Sequence, residues 1–159
     1  EVEIRMADGS RMPYAITVNY NRLQPDSSDQ CRVRLSASLN DANLAEGEVT
    51  EADLTVENTA DEPIPTPVAI IGIPRGLEVR HDQLKELRDR GTIASYEVIG
   101  REVVLYWRSL KANQTVELPL SLVAAVPGKF TAPASRAYEY YTDEHKHWIA
   151  PMSVEIEAK

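Results

Sequence analysis

The stretch Tyr96-Glu-Val-Ile-Gly-Arg-Glu-Val-Val-Leu-Tyr-Trp107 decides the fold. Apolar residues recur at every second position on both sides of Gly100, as in strands that bury one face. Because glycine readily adopts the backbone conformations of tight turns, Gly100 predicts a hairpin between two antiparallel strands. In the second strand Tyr106 alternates with Leu105 and Trp107, so its side chain is expected to point away from theirs.

The same two-residue period recurs along most of the chain. The further alternating segments are Tyr14–Tyr20, Cys31–Ala37, Asp53–Glu57, Val116–Leu122, Tyr138–Tyr141 and Trp148–Ile156. Turn-forming residues separate these segments, and no Gly-rich phosphate loop or internal repeat interrupts them. Many short strands with regular turns predict an all-β fold, an antiparallel β-sandwich.

One segment, Asp82–Gly91, has the composition of a short helix rather than a strand. We expect a helix near residues 82–90, with Asp82 as its N-cap and Gly91 in the left-handed position that follows the last turn. Leu84 and Leu87 are three residues apart and form a narrow apolar stripe. The helix should therefore lie on the sandwich through these two leucines.

Composition and charge restrict the classes of function. The length of 159 residues indicates one domain. The net charge of −8 disfavours nucleic acid or an anionic membrane as a partner, because phosphates repel an acidic surface. No apolar run is long enough to insert into a membrane. Eight acids and no base lie between Asp41 and Glu62. We interpret this segment as a solvated strand face, with an acidic docking strip as the alternative.

Few residues suggest catalysis or a cofactor. No Gly-x-Ser-x-Gly motif is present, and the single cysteine, Cys31, excludes an internal disulfide and is interpreted as a small buried hydrophobe. Asp143, His145 and His147 are the best metal candidates, but a polar hairpin tip would have the same residues, and closed zinc sites usually take four ligands. These observations predict a non-enzymatic module without metal or cofactor.

Several segments in order resemble the C-terminal receptor-binding domain of the alpha-2-macroglobulin and complement thioester-protein family. In chain order they are Gly72-Ile-Pro-Arg-Gly-Leu77, Gln83-Leu-Lys-Glu-Leu87, Tyr96-Glu-Val98, Val103-Val-Leu-Tyr-Trp107, Leu118-Pro-Leu-Ser-Leu-Val123, Val126-Pro127, Pro133-Ala134 and Ala137-Tyr-Glu-Tyr-Tyr-Thr-Asp-Glu144. The resemblance covers roughly residues 50 to 159 well, and the Tyr-Tyr-Thr-Asp-Glu block after the helix is its most specific part.

The resemblance implies a domain of a protease-trapping protein that carries an internal thioester in another domain. Its partners would be the thioester domain of the same parent chain and the proteases that the parent traps. In the family, aromatic side chains of this domain shield the thioester from water, and the matching positions are Tyr106 and Tyr140. The alternative is that both tyrosines serve the core or are merely exposed. The thioester motif itself is absent, because Cys31 is followed by Arg-Val-Arg.

Two departures from the pattern of vertebrate relatives suit a bacterial-type member of the family. In vertebrate relatives the helix presents lysines to a scavenging receptor, but here only Lys85 matches and the second position falls near His81. The disulfide of those relatives is absent too. We therefore interpret Lys85 as a solvated helix residue, and expect a periplasmic or secreted protein of the cell envelope.

The first part of the chain has two interpretations. Residues 1–24 include two candidate strands, Val2–Met6 and Tyr14–Tyr20, which belong either to the preceding family module or to the same sandwich as residues 25–159. Pro25 to Asp29 would then be a linker. The start at Glu1, with neither methionine nor a leader peptide, suggests a piece excised from a longer protein.

Three rival functions remain open from the residues. An immunoglobulin-like adhesion or carbohydrate-binding module would use exposed aromatics such as Tyr138, Tyr140 and Trp148 to stack on sugars. A metal-dependent enzyme would be built around His145 and His147. A pure spacer domain would belong to a family member that has lost its thioester.

Overall fold

A computed structural model describes residue 9, residues 15–19 and residues 21–159. The elements of these residues, in chain order, are β1 (Val33–Leu39), β2 (Asn43–Ala45), β3 (Val49–Asn58), β4 (Ile64–Pro65), β5 (Pro67–Gly72), β6 (Leu77–Val79), α1 (His81–Asp89), β7 (Ser95–Ile99), β8 (Glu102–Tyr106), β9 (Ser109–Leu110), β10 (Thr115–Ala124), β11 (Gly128–Thr131), β12 (Ser135–Glu139), β13 (His147–Ile149) and β14 (Ser153–Glu157). No helix in this described part has the length and apolar character needed to cross a membrane.

Two antiparallel sheets form the body of the domain. The four-stranded sheet has the order β1-β3-β10-β6, and the five-stranded sheet has the order β13-β12-β5-β8-β7. β7 and β8 pair from Ser95 opposite Tyr106 to Ile99 opposite Glu102, with a turn at Gly100, whose φ is +60°. The hairpin predicted at Gly100 is therefore confirmed.

The inner faces of the two sheets share one hydrophobic core. Leu54 and Leu120 of the four-stranded sheet are buried in the same cluster as Ile71 and Leu105 of the five-stranded sheet. Alternate residues of each strand supply these side chains, because successive side chains of a strand point to opposite faces. The predicted antiparallel sandwich with one short helix is confirmed.

Two smaller sheets add to the sandwich, and their residues Leu44, Ile156, Ile64 and Leu110 belong to the same core. One has the order β11-β14-β2, and β14 pairs with β2 in parallel from Glu155 opposite Asn43 to Glu157 opposite Ala45. The other is the short antiparallel pair β4-β9. The parallel pair departs from the all-antiparallel expectation. A long connection between two strands permits either direction, whereas a tight hairpin requires the antiparallel one.

The helix lies where the sequence predicts it, but its cap differs. Leu84 and Leu87 are buried in the core, and Gly91 follows the helix with a φ of +77°, as expected. The N-cap is Arg80, which makes no side-chain cap hydrogen bond, so the prediction of Asp82 as N-cap is wrong. Asp82 lies in the first turn, where its negative charge still complements the helix dipole.

Two predicted strands near the C-terminus differ in extent. β12 ends at Glu139, so Tyr140 and Tyr141 lie beyond it. The segment Trp148–Ile156 divides into β13 and β14 around Pro151, because proline cannot donate a ladder hydrogen bond.

The strand expected over Tyr14–Tyr20 is wrong for residues 15–19, which are exposed and have no regular secondary structure. Alternation alone does not form a strand without a partner strand. Tyr14, Tyr20 and the strand expected at Val2–Met6 lie outside the described residues. The domain boundary after residue 24 stays a prediction.

The acidic segment agrees with the interpretation as a solvated strand face. On β3, Glu51 and Asp53 are exposed and Glu57 is partly exposed, while Ala52, Leu54 and Val56 between them are buried. The carboxylates therefore line the outer face of the four-stranded sheet, where water solvates them.

Candidate functional site: the aromatic face of the five-stranded sheet

The outer face of the five-stranded sheet carries a second, smaller hydrophobic cluster. Val68, Ile70 and Val104 are buried there at 1%, 7% and 5% exposure, and the partly buried rings of Tyr106 and Tyr138 pack against them. We call the surface formed by these five side chains the aromatic face. It exists because β5 is apolar at every position from Pro67 to Ile71, so both of its faces need a cover.

Strand register brings the two tyrosines of the aromatic face to one level. Tyr138 of β12 and Tyr106 of β8 both pair with Val68 of β5, from opposite sides. Side chains directly opposite in a ladder share a face, so both rings flank Val68. Leu105 and Trp107 are buried on the core side, which confirms the expected orientation of Tyr106.

Tyr106 is held by one polar contact at the edge of the sheet. Its hydroxyl lies 3.1 Å from a carboxylate oxygen of Glu97 on β7 and donates a hydrogen bond to it. Burial raises the pKa of the Tyr106 phenol, and the Glu97 carboxylate and the nearby Tyr138 and Tyr140 phenols raise it further. Tyr106 is therefore a neutral hydrogen-bond donor at physiological pH.

Tyr140 and Tyr141 stand beside the aromatic face with much larger exposure. They are 55% and 79% exposed, and their rings meet edge to face with centroids 5.3 Å apart. The Tyr140 amide donates to the Thr66 carbonyl at 3.0 Å, which fixes this turn to the residue before β5. Two large exposed aromatic rings at one turn are unusual on a surface exposed only to water.

Charged side chains border the aromatic face. Arg136 pairs with Glu102 at 2.6 Å and lies over the Trp148 ring, 5.2 Å from its centroid. Lys146 lies 5.0 Å from the centroid of the Tyr138 ring. Cations therefore cover one face of each ring, which leaves Tyr138 and Trp148 less available as a flat platform for a sugar.

The two residues predicted on the helix face are both exposed. His81 and Lys85 are separated by one turn of α1 and point away from buried Leu84 and Leu87. The helix is attached to β10 through Gln83, whose side-chain oxygen accepts a 2.7 Å hydrogen bond from the Ser121 amide. The structure thus places this pair on a solvated face apart from the aromatic face.

The predicted histidine pair does not form one site. His145 lies 3.1 Å from the Ser28 hydroxyl, whereas Nδ1 of His147 accepts a hydrogen bond from the Leu35 amide at 3.2 Å. Burial lowers the pKa of His147, with a smaller contribution from Arg34. Across the described residues, no three potential ligands gather closely enough to hold a metal ion.

Cys31 precedes β1 rather than lying within it, and it is partly buried. Its thiol contacts the carbonyls of Val33 and Ala137 at 3.3 and 3.6 Å. Burial raises the pKa of the thiol, so the arginines on either side of Val33 do not activate it. This agrees with the interpretation of Cys31 as a small packing residue.

Sequence reasoning missed two features of the aromatic face. Glu97 was not singled out, because an acid on an exposed strand gives no signal until the register places it beside Tyr106. The role of Val68 and Ile70 as a buried outer cluster was also missed. The signal was present, since an uninterrupted apolar run indicates a strand that is covered on both faces.

The domain is thus a β-sandwich whose five-stranded sheet has an aromatic outer face. A model of the A-macroglobulin receptor binding domain family matches residues 67–149, more than half of the chain, including all five strands of the five-stranded sheet and the helix. The chain therefore belongs to this family. A search of proteins of curated function finds no significant match.

Solved structures with the same fold come from bacterial alpha-2-macroglobulins. The Salmonella protein reacted with methylamine matches 84% of this chain and 10% of its own, at 17% identity and a TM-score of 0.64. The native Escherichia coli protein from domain MG7 to the C-terminus matches 84% of this chain and 25% of its own, at 15% identity and a TM-score of 0.62.

The Escherichia coli protein activated by porcine elastase matches 87% of this chain and 14% of its own, at 15% identity and a TM-score of 0.65. At such identities the similarity establishes the fold. This chain spans only a tenth to a quarter of the length of these relatives.

Proposed function

We propose that this chain is the C-terminal domain of an alpha-2-macroglobulin-like protease-trapping protein, where it packs on the thioester domain and shields the thioester. The observation that carries the proposal is the aromatic face, with Tyr106 and Tyr138 over buried aliphatic residues and Tyr140 exposed beside them. Tyr106 and Tyr140 are the shielding residues in this proposal.

The geometry suits a contact that excludes water. A thioester is lost when water or another nucleophile reaches its carbonyl carbon, so a dry apolar cover prolongs its lifetime. The aromatic face offers such a cover, and Tyr140 and Tyr141 present ring surface that a partner domain would bury. The neutral Tyr106 hydroxyl is directed to Glu97, so it is not free to attack the thioester.

The domain itself acts without catalysis in this proposal. Cleavage of a bait segment elsewhere in the parent would move the domain away and expose the thioester, as a two-state docking switch. The partners would be the thioester domain of the same parent chain and the trapped proteases. Exposed His81 and Lys85 would remain solvated helix residues. A bacterial periplasmic or secreted location accompanies this role.

The experiment is thiol release from the full-length parent protein. Methylamine attacks a live thioester and frees one thiol per chain, which a thiol reagent counts. In the Tyr140→Ala variant, the spontaneous appearance of that thiol in buffer should accelerate about tenfold, which corresponds to a barrier lowered by about 1.4 kcal/mol. Thr55→Ala, on the outer face of the four-stranded sheet, is the matched control and should leave the lifetime of the thioester unchanged.

Two outcomes would count against the proposal. An unchanged thioester lifetime in Tyr140→Ala would remove the shielding role while leaving a live thioester in the parent. The absence of any released thiol would mean a domain without a thioester to protect, as in a spacer. Both outcomes are distinct from a folding defect, which the cooperative thermal unfolding of each variant would reveal.

A further inference from the structure

A groove opens at the side of the sandwich, and one residue of its lining, Glu102, also borders the aromatic face. It has a volume of about 280 Å³ and lies between β6 with its preceding loop and the hairpin of β7 and β8. Ile73, Pro74 and Leu77 are buried apolar residues in its lining, and Val98 contributes a 38% exposed side chain. The groove therefore has an apolar interior that is open to water.

The strands on both sides of this groove are sheet edges. Within the described residues, β6 pairs only with β10 and β7 pairs only with β8, so each ends its sheet. An edge strand presents amide and carbonyl groups that lack strand partners, and an extended peptide can pair with them as an added strand. β7 is the longer edge, with five residues, and its residues from Glu97 to Ile99 are exposed.

The groove also carries two arginines that lack a carboxylate partner in the part of the chain that the structure describes. Six of the ten described arginines form ion pairs, and Arg75 and Arg101 are the two of the other four that line the groove. The carboxylate of Glu102 in the same lining is already paired with Arg136. Exposed Glu78 also lines the groove, so the two arginines outnumber the remaining carboxylate by one. In a chain of net charge −8, this small local excess of positive charge favours an acidic ligand.

We propose that this groove binds an extended acidic peptide segment of a partner, which adds to the edge of β7. The peptide backbone would pair with β7, an apolar side chain would enter the groove beside Leu77 and Val98, and a carboxylate would pair with Arg75 and Arg101. Guanidinium groups suit this task because they bind carboxylates with two parallel hydrogen bonds. The groove shares none of the five side chains of the aromatic face, and the proposal does not depend on the function proposed above.

The test uses the 159-residue chain and a synthetic peptide, acetyl-Thr-Val-Glu-Val-Asp-Val-Thr-amide, with a matched peptide carrying Gln and Asn in place of the two acids. Amide chemical shifts report the location of binding, and calorimetry reports the affinity. The acidic peptide should shift the amide signals of Ser95–Ile99 and Arg101. The neutral peptide, and the variant Arg75→Gln with Arg101→Gln, should each bind at least about tenfold more weakly.

A charge-matched variant separates the site from general electrostatics. Arg34→Gln with Arg108→Gln removes two exposed arginines outside the groove, and its affinity should stay within about twofold of the original, because exposed distant charges are screened by salt. Absence of binding at millimolar acidic peptide would overturn the proposal. Equal binding of the neutral peptide, or shifts confined to other strands, would overturn it as well.

Discussion

The outer faces of the two main sheets differ in chemistry although both belong to one sandwich. On the four-stranded sheet, β3 directs Glu51, Asp53 and Glu57 to solvent. On the five-stranded sheet, β5 directs Val68 and Ile70 outward, and tyrosines bury them. A sandwich needs only one apolar face per sheet, so the second apolar face of β5 is not required by the fold alone.

This difference indicates which of the two outer faces is the better candidate for a contact surface. An alternating strand such as β3 has one face selected for the core and one for water. A strand that is apolar on both faces, such as β5, is more stable when its outer face is also covered. Here two partly buried tyrosines provide part of that cover, and the exposed Tyr140 and Tyr141 extend the apolar surface beyond it. The comparison favours the aromatic face as the docking side of the domain.

The largest expected effect comes from breaking the five-stranded sheet at the end of β5. A Cβ on Gly72 would lie 2.0 Å from the Pro133 carbonyl oxygen, and this contact is with backbone that cannot move aside easily. Gly72→Ala should therefore lower the free energy of unfolding by about 3 kcal/mol. Chemical denaturation measures the loss.

Gly100→Ala is the matched control, because a Cβ there meets no atom within 4 Å. Its φ of +60° still makes a side chain unfavourable, so we expect a loss of about 1 kcal/mol. Equal losses in the two variants would contradict the close packing of β5 against the loop at Pro133.

A smaller effect compares the two outer faces directly. Ile70→Ala removes a side chain that is 7% exposed, and should cost about 2 to 3 kcal/mol of unfolding free energy. Asp53→Ala, on the outer face of the four-stranded sheet, should change it by about 0.5 kcal/mol or less. Similar losses at both positions would mean that the two faces are equally solvated.

The smallest expected effect is a pH dependence at the contact between the sheets. Nδ1 of His147 on β13 accepts from the Leu35 amide of β1, and burial lowers the pKa of this imidazole below its usual 6.5. The unfolded chain then binds the proton more readily than the folded chain. Stability should be complete above about pH 6.5 and decrease as the pH falls below it.

Thermal unfolding between pH 7.5 and pH 5 measures this dependence in His147→Gln and in the unchanged protein. His147→Gln should reduce the loss of stability between pH 7.5 and pH 5 relative to the unchanged protein. His81→Gln, on the exposed helix face, should leave this loss unchanged. A decrease of the same size in His147→Gln would assign the pH dependence to other groups.

Much of the fold followed from the two-residue period of the sequence. The period and the glycine turn predicted β7 and β8, and the composition of Asp82–Gly91 predicted α1. The separation of β13 from β14 and the parallel pairing of β14 with β2 were not predicted, because they depend on contacts between distant residues. The alternating residues 15–19 lack a strand for the same reason, since a local pattern does not specify a partner.

The candidate site was predictable only in part. The alternation of Tyr106 with Leu105 and Trp107 gave its outward direction, and the resemblance to the family selected Tyr140. Glu97 and Tyr138 entered the site through strand register, which no local pattern encodes. The groove with Arg75 and Arg101 likewise arises where chain segments that are separate in sequence meet at the side of the sandwich.

The most direct test of the docking account is chemical footprinting of the full-length parent before and after methylamine treatment. Hydroxyl radicals label accessible Tyr106, Tyr138 and Tyr140, and a carbodiimide labels Glu51 and Asp53 on the other outer face. We expect the tyrosines to be protected before treatment and to become labelled after it, with the carboxylates labelled equally in both states. Labelling of Tyr140 in the untreated parent at the rate of the isolated 159-residue chain would contradict the account.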